Sequence, residues 1–402
     1  MKNVKVVIGA NFGDEGKGLM TDYFCSLAPE HERVLNVRFN GGAQAGHTVV
    51  TPDGRRHVFS HFGSGSFLPN VATYFGPDFI VNPILFRKEY EQLMALGVYP
   101  MVYCHPKCIF TMPQDMMVNQ FIERRRGNER HGSCGVGIFE TEMRNRRLTR
   151  LEIGDFQSLN PNWLIDISYY SFERVQKMVG FTLTDHEKAL MNNQNIRAHY
   201  NQDLKFFMDH VILHDESLFK PYNYIVFEGA QGLMLDQNNL EYFPHLTPSN
   251  TGIDNVLPFL EEDIDAEICY VTRPYLTRHG NGRLDGEHTR EQLGLKIDIT
   301  NQENEWQGKL RYAPLDWEGM KERCIKDWQK SGSKAFMSMA LTHADDPPYR
   351  VLEMTDFISN EATYISSGPT RNNVVDCGSF ARFVEKTLKT RTENMDNNER
   401  TD

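Results

Sequence analysis

The sequence predicts an α/β protein with a large, mostly parallel central sheet flanked by helices. Short apolar runs bounded by Gly, Pro or Asn recur along the chain, at residues 4–8, 34–39, 224–227 and 268–272. Such runs are typical of parallel strands buried on both faces. Helical patterns lie between them. The segment 83–96 begins after Asn82-Pro83 and stops at Gly97, which is the expected arrangement of helix caps.

Length and composition favour one large domain followed by a tail. A chain of 402 residues with 40% apolar and 24% charged residues can bury a substantial core. Residues 160–220 are predicted to be mostly helical. We expect a single domain over residues 1–385. Residues 386–402 offer almost nothing to bury, so we expect a disordered C-terminal tail there.

Charge and cysteine usage exclude several classes of protein. The net charge of -11 argues against direct nucleic-acid binding, which depends on basic patches. No run of about 18 apolar residues is present to span a membrane, and the N-terminus enters a strand without a signal core. The 7 cysteines are scattered, as expected for reduced thiols in a cytoplasmic protein. Cys104 and Cys108 lack a second ligand pair, which disfavours a zinc site.

The first strand leads into a glycine-rich turn that predicts a phosphate-binding loop. Gly13, Gly16 and Gly18 allow a tight turn that brings N–H groups close to phosphate, and a helix begins directly after it. Lys17 adds a positive charge. The loop is neither G-x-x-x-x-G-K-[ST] nor G-x-G-x-x-G. Asp14 would repel phosphate unless a metal ion neutralises both or the carboxylate acts as a base, so it indicates chemistry. The alternative is an ordinary surface turn.

A second glycine-rich segment follows the next strand and carries a histidine. It runs from Arg38 to Val50 and presents His47 and Thr48 just before another apolar strand. An aspartate and a histidine on neighbouring loops form a plausible acid and base pair. Together the two segments resemble the adenylosuccinate synthetase family, whose GDEGKG loop is kept entire at residues 13–18 and whose NAGHT loop is present as QAGHT at residues 44–48.

Further motifs of that family follow in the family's order. They are FEGAQG at 227–232, a segment similar to YPYVTSSNT at 244–251, one similar to TRVGAG within 271–282, and one similar to STGPDR at 366–371. The matched blocks span roughly residues 4–375, so the resemblance covers the whole chain except its tail. It implies a C–N ligase with a P-loop-like fold that acts as a homodimer.

The resemblance assigns roles that suit these residue types. Asp14 would take the N1 proton of a 6-oxopurine, and His47 would stabilise O6 while a nucleoside triphosphate phosphorylates it; the amine of L-aspartate then displaces phosphate. Mg²⁺ would be bound by Asp14 and the Gly46 carbonyl. The resemblance makes Lys17 a third catalytic residue beside Asp14 and His47. The other implied residues are Gly13, Glu15, Gly16, Gly18, Thr48, Asp345, Ser367 and Gly368 for nucleotide and phosphate binding, and Gln44, Ser133, Cys134, Arg147, Gln231 and Thr247 for the purine monophosphate. For Gln231 and Thr247 taken singly, a structural hydrogen bond is the alternative.

Two departures from the family pattern concern substrate binding. The arginine-rich aspartate loop is shortened to residues 307–316, which leaves Lys309 and Arg311 for the dicarboxylate. Arg311 is favoured, because only arginine grips a carboxylate through a two-pronged fork. The guanine-reading TKxD is here THAD, with His343 in the lysine position and Asp345 kept. This change favours ATP or dATP over GTP as phosphoryl donor.

A third departure points to a branch of the family. Residues 130–138 replace IGTTGRGIG, which places Ser133 or Cys134 at the 5′-phosphate, and Arg146 or Arg147 would reach across a dimer interface. With HFGSG at 61–65, these features resemble the phage branch that makes 2-aminoadenylosuccinate from dGMP for diaminopurine DNA, which would place the protein in the host cytoplasm. Well-known members of that branch carry Ser in place of Asp14. The retained Asp14 leaves both acceptors possible. The other departures make us favour dGMP as acceptor and keep IMP as the alternative.

Two other classes of protein were weighed against a ligase. A GTPase switch would carry G-K-[ST] and a water-positioning loop, and the sequence has neither. An inactive family member acting as a binding protein would be expected to lose Asp14, Lys17 or His47. All three are present.

Overall fold

The computed structural model describes residues 2–147, 150–157, 172–260, 264–297, 306–332, 334–346 and 363–378. The strands are β1 Lys2–Gly9, β2 Val34–Arg38, β3 His47–Val50, β4 Arg56–Phe59, β5 Val71–Phe75, β6 Met101–Cys104, β7 Ile212–Leu213, β8 Tyr224–Gly232, β9 Ile264–Thr272, β10 Tyr275–Arg278, β11 Arg311–Pro314, β12 Phe336–Leu341, β13 Tyr364–Ser366 and β14 Val374–Asp376. The α-helices are α1 Lys17–Ser26, α2 Pro83–Ala95, α3 Pro113–Arg126, α4 Ile138–Arg147, α5 Phe172–Val179, α6 Asp185–Met191, α7 Gln194–His210 and α8 Trp317–Gln329.

Within the described residues, one sheet of ten strands forms the centre of the molecule. Its order is β14-β13-β12-β9-β1-β8-β2-β5-β6-β7. Every neighbouring pair is parallel except β13 and β14. The predicted fold class is therefore confirmed. The four predicted strands lie within β1, β2, β8 and β9, except that the apolar run 34–39 extends one residue past β2.

The central strand β1 is nearly devoid of exposed side chains because it is covered on both faces. Val4 lies opposite Ile225 of β8 and Ala266 of β9. Val6 and Ile8 belong to the largest core cluster, whereas Val7 packs on the other face of the sheet with α1. Burial on both faces explains the uninterrupted apolar residues Val6, Val7 and Ile8, whereas Lys5 is accommodated by an ion pair with Glu267 at 2.6 Å.

The predicted helix 83–96 is present as α2. Pro83 occupies its first turn, where no N–H is needed, and the Asn82 side chain accepts a hydrogen bond from the Leu85 N–H at 3.2 Å. Of the predicted helical region 160–220, α5, α6 and α7 are helical, β7 is a short strand, and residues 158–171 lie outside the described residues. The predicted tail, 386–402, also lies outside them, and the single-domain boundary stays a prediction.

Parallel order brings several loops to one edge of the sheet. Strands β1, β2, β8, β9 and β12 all end there, so the loops that follow Gly9, Arg38, Gly232, Thr272 and Leu341 converge. In open α/β sheets this carboxyl edge is where ligands bind. No helix among the described residues is long and apolar enough to cross a membrane. All seven cysteines are free.

Candidate active site

A cleft of about 980 Å³ opens at the carboxyl edge of the sheet. Most of the residues that the sequence singled out line it, namely Gly13, Asp14, Gly16, Lys17, Gly18, Gln44, Gly46, His47, Thr48, Ser133, Cys134, Gln231, Thr247, Asp345 and Gly368. Glu15, Arg147, Lys309, Arg311 and Ser367 do not line it. The size and the mixture of polar and apolar walls suit small-molecule ligands.

The first loop is braced from below by Glu15. Its carboxylate is buried and accepts hydrogen bonds from the Asn11 N–H at 3.0 Å and the Gly13 N–H at 2.8 Å. The Lys17 ammonium lies 2.9 Å from the other carboxylate oxygen. Glu15 thus shapes the loop and holds Lys17, and does not itself face the cleft.

Asp14 projects from the top of this loop. Its φ of 61° is left-handed, a conformation that aspartate tolerates better than most residues. Arg273 fixes the backbone here, because its Nε–H donates to the Asp14 carbonyl at 2.6 Å. The carboxylate remains about a quarter exposed and faces His279, whose Nε2 is 3.5 Å from Oδ2.

His47 stands at the start of β3 and is anchored by a buried acid. Its Nδ1 lies 2.5 Å from Glu228 Oε1 in β8. Glu228 is wholly buried and also accepts hydrogen bonds from the Ser64 N–H at 2.9 Å and the Ser64 hydroxyl. Arg38 lies 3.9 Å away. This arrangement leaves Nε2 as the ring atom available to a ligand.

The charges around His47 are strongly coupled. Burial opposes ionisation of Glu228, but Arg38, His47 and Ser64 together hold the pKa of that carboxyl down to about 2. Burial lowers the pKa of His47, and the hydrogen bond to Glu228 acts in the opposite direction. An ionised Glu228 therefore holds His47 in one orientation and would stabilise its protonated form when a negative ligand arrives.

Two glutamines, Gln44 and Gln231, line the cleft. The side-chain amide atoms of Gln44 are shielded from solvent and make no hydrogen bond within the described residues. Gln231 lies near the end of β8, three residues after Glu228, and has a left-handed φ of 63°. An unsatisfied buried amide favours a polar ligand.

The segment 130–137 forms one wall of the cleft. The Gly132 N–H donates to the Glu123 carboxylate at 2.9 Å, and the Ser133 hydroxyl donates to the Asn119 side-chain Oδ1 at 3.0 Å. Burial raises the pKa of Cys134 to about 11, so at neutral pH it is a thiol. Neither predicted side chain therefore brings a negative charge: the Cys134 thiol can donate a hydrogen bond, and the Ser133 hydroxyl oxygen, whose proton goes to Asn119, can accept one.

The opposite end of the cleft carries Asp345 and Gly368. Asp345 is exposed and forms an ion pair with Lys296 at 2.9 Å. Thr342, three residues earlier, donates to the Glu15 carbonyl at 2.7 Å and so ties this end to the first loop. Ser367 next to Gly368 is exposed outside the cleft.

The residues predicted to bind aspartate lie away from the cleft wall. The Arg311 guanidinium forms a two-pronged pair with Glu287, with Nε 2.9 Å from Oε1. It also donates to the carbonyls of Gly280 at 2.9 Å and Gly282 at 2.6 Å. Lys309 is exposed, and Arg147 is exposed at the end of α4.

Sequence reasoning missed the residues that support the two loops. The signal for Glu228 was an acid inside an otherwise apolar strand, and the signal for Ser64 was the HFGSG segment. Arg273 and His279 lie inside the segment matched to TRVGAG, but nothing in their spacing shows that both reach Asp14. Contacts between distant loops require the fold.

The cleft offers oxygen donors of the kind that Mg²⁺ uses. No group of three or more His, Cys, Asp or Glu in the described part of the chain is arranged to hold a metal. Mg²⁺, however, is commonly bound by one or two protein oxygens together with water and substrate phosphates. The Asp14 carboxylate and the Gly46 backbone line the same cleft, which fits that mode.

These features define an α/β protein with a phosphate-type loop and an aspartate–histidine pair at the carboxyl edge of a parallel sheet. Comparison identifies its family. The adenylosuccinate synthetase family model matches residues 6–309, and the chain belongs to that family. It is 30% identical over 314 residues to an adenylosuccinate synthetase of Acaryochloris marina, which covers 74% of this chain and 65% of the relative. A similar match is found in Trichodesmium erythraeum, with 30% identity, 73% of this chain and 65% of the relative.

Solved structures agree with the fold. Fully ligated adenylosuccinate synthetase from Plasmodium falciparum superposes with a TM-score of 0.67 at 19% identity, covering 93% of this chain and 99% of that one. The succinoaminodeoxyadenylate synthetase (PurZ) of cyanophage S-2L, bound to dGMP and dATP as an energy donor, gives 0.64 at 19% identity, covering 94% and 95%. The sequence match spans about 65% of the length of the first two curated relatives.

Proposed function

We propose that this chain is a C–N ligase that phosphorylates O6 of a 6-oxopurine nucleoside monophosphate and replaces the phosphate with L-aspartate. The observation that carries the proposal is the pair of loops: Asp14 and the Glu228-anchored His47 face one cleft that also holds the glycine-rich turn. Family membership supports the same reaction class.

The two side chains suit the two halves of the activation step. Asp14 is partly exposed on the cleft wall and would accept the N1 proton as the base takes its enolate-like form. His47 carries a buried carboxylate behind it, so negative charge at O6 and on the phosphoryl group would favour its protonated form and be stabilised by it. Bound Mg²⁺, at Asp14 and the Gly46 carbonyl, would neutralise phosphate charge.

We favour dGMP as acceptor, with IMP as the alternative. Each carboxylate oxygen has two lone pairs, so a single oxygen can accept hydrogen bonds from both N1–H and the 2-amino group of guanine, whereas hypoxanthine offers only N1–H. Asp14 therefore does not exclude a guanine base. The similarity of the fold to a phage synthetase bound to dGMP supports this choice, and the adenylosuccinate synthetases among the sequence relatives support IMP.

The phosphoryl donor is proposed to be ATP or dATP, with GTP as the alternative. Reading guanine with Asp345 would require its carboxylate to release Lys296. Such exposed ion pairs are weak, on the order of 0–1 kcal/mol, so the pairing favours ATP without excluding GTP. His343, which stands where the family motif has lysine, also favours ATP or dATP over GTP.

Aspartate binding is proposed for Arg311, assisted by Lys309. In the structure Glu287 occupies the fork of Arg311 with the same chemical group that the substrate would bring. Aspartate would exchange with Glu287 at little net cost, because one carboxylate replaces another. We propose a homodimer in which Arg147 of a second copy completes the monophosphate site.

A phosphate-release assay tests the reaction and the acceptor together. The protein is incubated with ATP, Mg²⁺ and L-aspartate together with dGMP, GMP or IMP. Released phosphate is measured, and the product mass is determined by mass spectrometry. Phosphate release that needs both aspartate and dGMP, with a succino adduct, supports the favoured acceptor. Activity with IMP alone selects the alternative. Nucleotide binding without phosphate release would make the chain a binding protein and refute the ligase.

A variant of the proposed base sharpens this experiment. Asp14→Asn should abolish turnover and leave nucleotide binding measurable, because shape is kept and only proton acceptance is lost. Asp265→Asn makes the same change at an exposed position near the start of β9 and serves as the matched control. Normal turnover by Asp14→Asn would remove Asp14 from the mechanism.

A further inference from the structure

We propose that His279 is a positioning residue for Asp14, holding one carboxylate oxygen so that the other faces the purine N1–H. The inference rests on the proposed function. It goes beyond it because the family motif TRVGAG has valine where this chain has His279, so the motif assigns no polar role to the position.

The two side chains face each other on the cleft wall. His279 Nε2 lies 3.5 Å from Asp14 Oδ2, and both residues line the cleft. Of the described residues, His279 supplies the one basic side chain recorded within 4.0 Å of this carboxylate. Lys17, which is closer in sequence, is engaged by Glu15 instead. The contact is slightly longer than a hydrogen bond, and such catalytic contacts commonly shorten when substrate binds.

Both backbones are held in place from behind. Arg273 donates to the Asp14 carbonyl at 2.6 Å. On the other side, Arg311 donates to the carbonyls of Gly280 and Gly282, so the turn that begins at His279 is clamped at two points. The backbone on both sides of the Asp14–His279 contact is therefore fixed by arginine hydrogen bonds. A fixed partner is what allows one side chain to orient another.

The arrangement has a chemical consequence for the carboxylate. A free Asp14 could rotate about its terminal torsion and present either oxygen, or a poor angle, to the base. Donation from His279 Nε2–H to Oδ2 would hold Oδ1 toward the substrate. Because this orientation matters most while the proton is moving, loss of His279 should lower kcat more than it raises KM.

Three substitutions at this one position distinguish positioning from packing. Glutamine places its amide nitrogen close to the position of His Nε2, whereas asparagine reaches only the position of Nδ1, and valine restores the family residue. We expect His279→Val and His279→Asn to lower kcat about tenfold, with the monophosphate KM within about twofold, and His279→Gln to recover most of the loss. His288→Gln, at an exposed histidine in the same region, is the matched control.

The outcomes separate this inference from the proposed function. Wild-type protein that releases no phosphate with dGMP, GMP or IMP removes the ligase and the inference together. An active wild type with unchanged kcat in His279→Val refutes only the inference. A His279→Gln variant as slow as His279→Val also refutes the inference, because it would indicate packing. A change in KM alone refutes it as well, because it would indicate substrate affinity instead of orientation of Asp14.

Discussion

Replacing Glu228 by glutamine should destabilise the protein and slow it, because one buried carboxylate serves two positive or protonatable partners. Glu228 is wholly buried, 2.5 Å from His47 Nδ1 and 3.9 Å from Arg38. Glutamine keeps the shape but removes the charge. Arg38, which is itself wholly buried, would then have no acidic partner among the residues that the structure describes.

The size of the effect follows from the pKa of Glu228. Its partners hold that pKa at about 2, against an ordinary value of 4.5. At 1.36 kcal/mol per pKa unit, this difference corresponds to about 3 kcal/mol of stability at neutral pH. Breaking a buried ion pair by removing one partner costs on the order of 3–5 kcal/mol, which agrees. We therefore expect Glu228→Gln to lose about 3 kcal/mol of unfolding free energy.

Urea denaturation at several pH values measures this loss. A depressed pKa contributes stability that is present above about pH 4.5 and is lost as the pH falls toward about 2. The gap between wild type and Glu228→Gln should therefore be full at pH 7 and shrink as the pH falls through that window. In the phosphate-release assay, kcat should fall at least about tenfold, because a neutral amide cannot stabilise the protonated form of His47.

Two further variants test whether the loss comes from the missing charge of Glu228. Ser64→Ala removes one hydroxyl bond to the carboxylate but keeps the charge, so it should cost only about 1 kcal/mol. Adding Arg38→Met to Glu228→Gln removes the stranded cation, so the double variant should be more stable than the two single losses predict. A Glu228→Gln loss below about 1 kcal/mol, or one independent of pH, would refute the argument.

Three other substitutions test separate parts of the structure. Burial raises the pKa of Glu140 to about 7, so Glu140→Gln should stabilise the protein by up to about 3 kcal/mol at pH 8 but little at pH 4.5. Urea denaturation at the two pH values measures this difference, and equal effects at both would contradict the prediction. A Cβ on Gly18 would lie 2.9 Å from the His47 Cβ, so Gly18→Ala should displace that ring and lower kcat about tenfold in steady-state kinetics, and an unchanged kcat would be the opposing result. Burial raises the pKa of Asp22 to about 6 although Arg371 lies 2.8 Å away; Arg371→Leu should therefore destabilise more at pH 8 than at pH 5, and a pH-independent loss would count against the pair.

Much of the fold could be predicted because its signals are local. A parallel strand buried on both faces is mostly apolar, so parts of β1 and β9 are visible as apolar runs, at residues 6–8 and 268–271. The start of α2 was visible because Asn82 and Pro83 satisfy the first turn of a helix by their own chemistry. Strand order was not predictable. Nothing in the residues near β1 shows that it pairs with β8 and β9, more than 200 positions away.

The candidate site divides in the same way. Glycines, Asp14, Lys17 and His47 could be singled out because each belongs to a short glycine-rich segment that directly follows an apolar strand, and such a segment is a local pattern. The partner that each charged side chain binds could not be predicted. Lys17 is engaged by Glu15, and Arg311, which the shortened loop suggested as a free cation for aspartate, is occupied by Glu287.

The α/β class, the two glycine-rich loops and the resemblance to the family can be read from the residues alone, because backbone conformation, burial and motif spacing are properties of neighbouring residues. Which distant side chains complete the site depends on the fold. Glu228 reaches His47, and His279 reaches Asp14, because parallel strands end at one edge and bring their loops together. Electrostatic partners at such distances along the chain follow from topology, which no local pattern encodes.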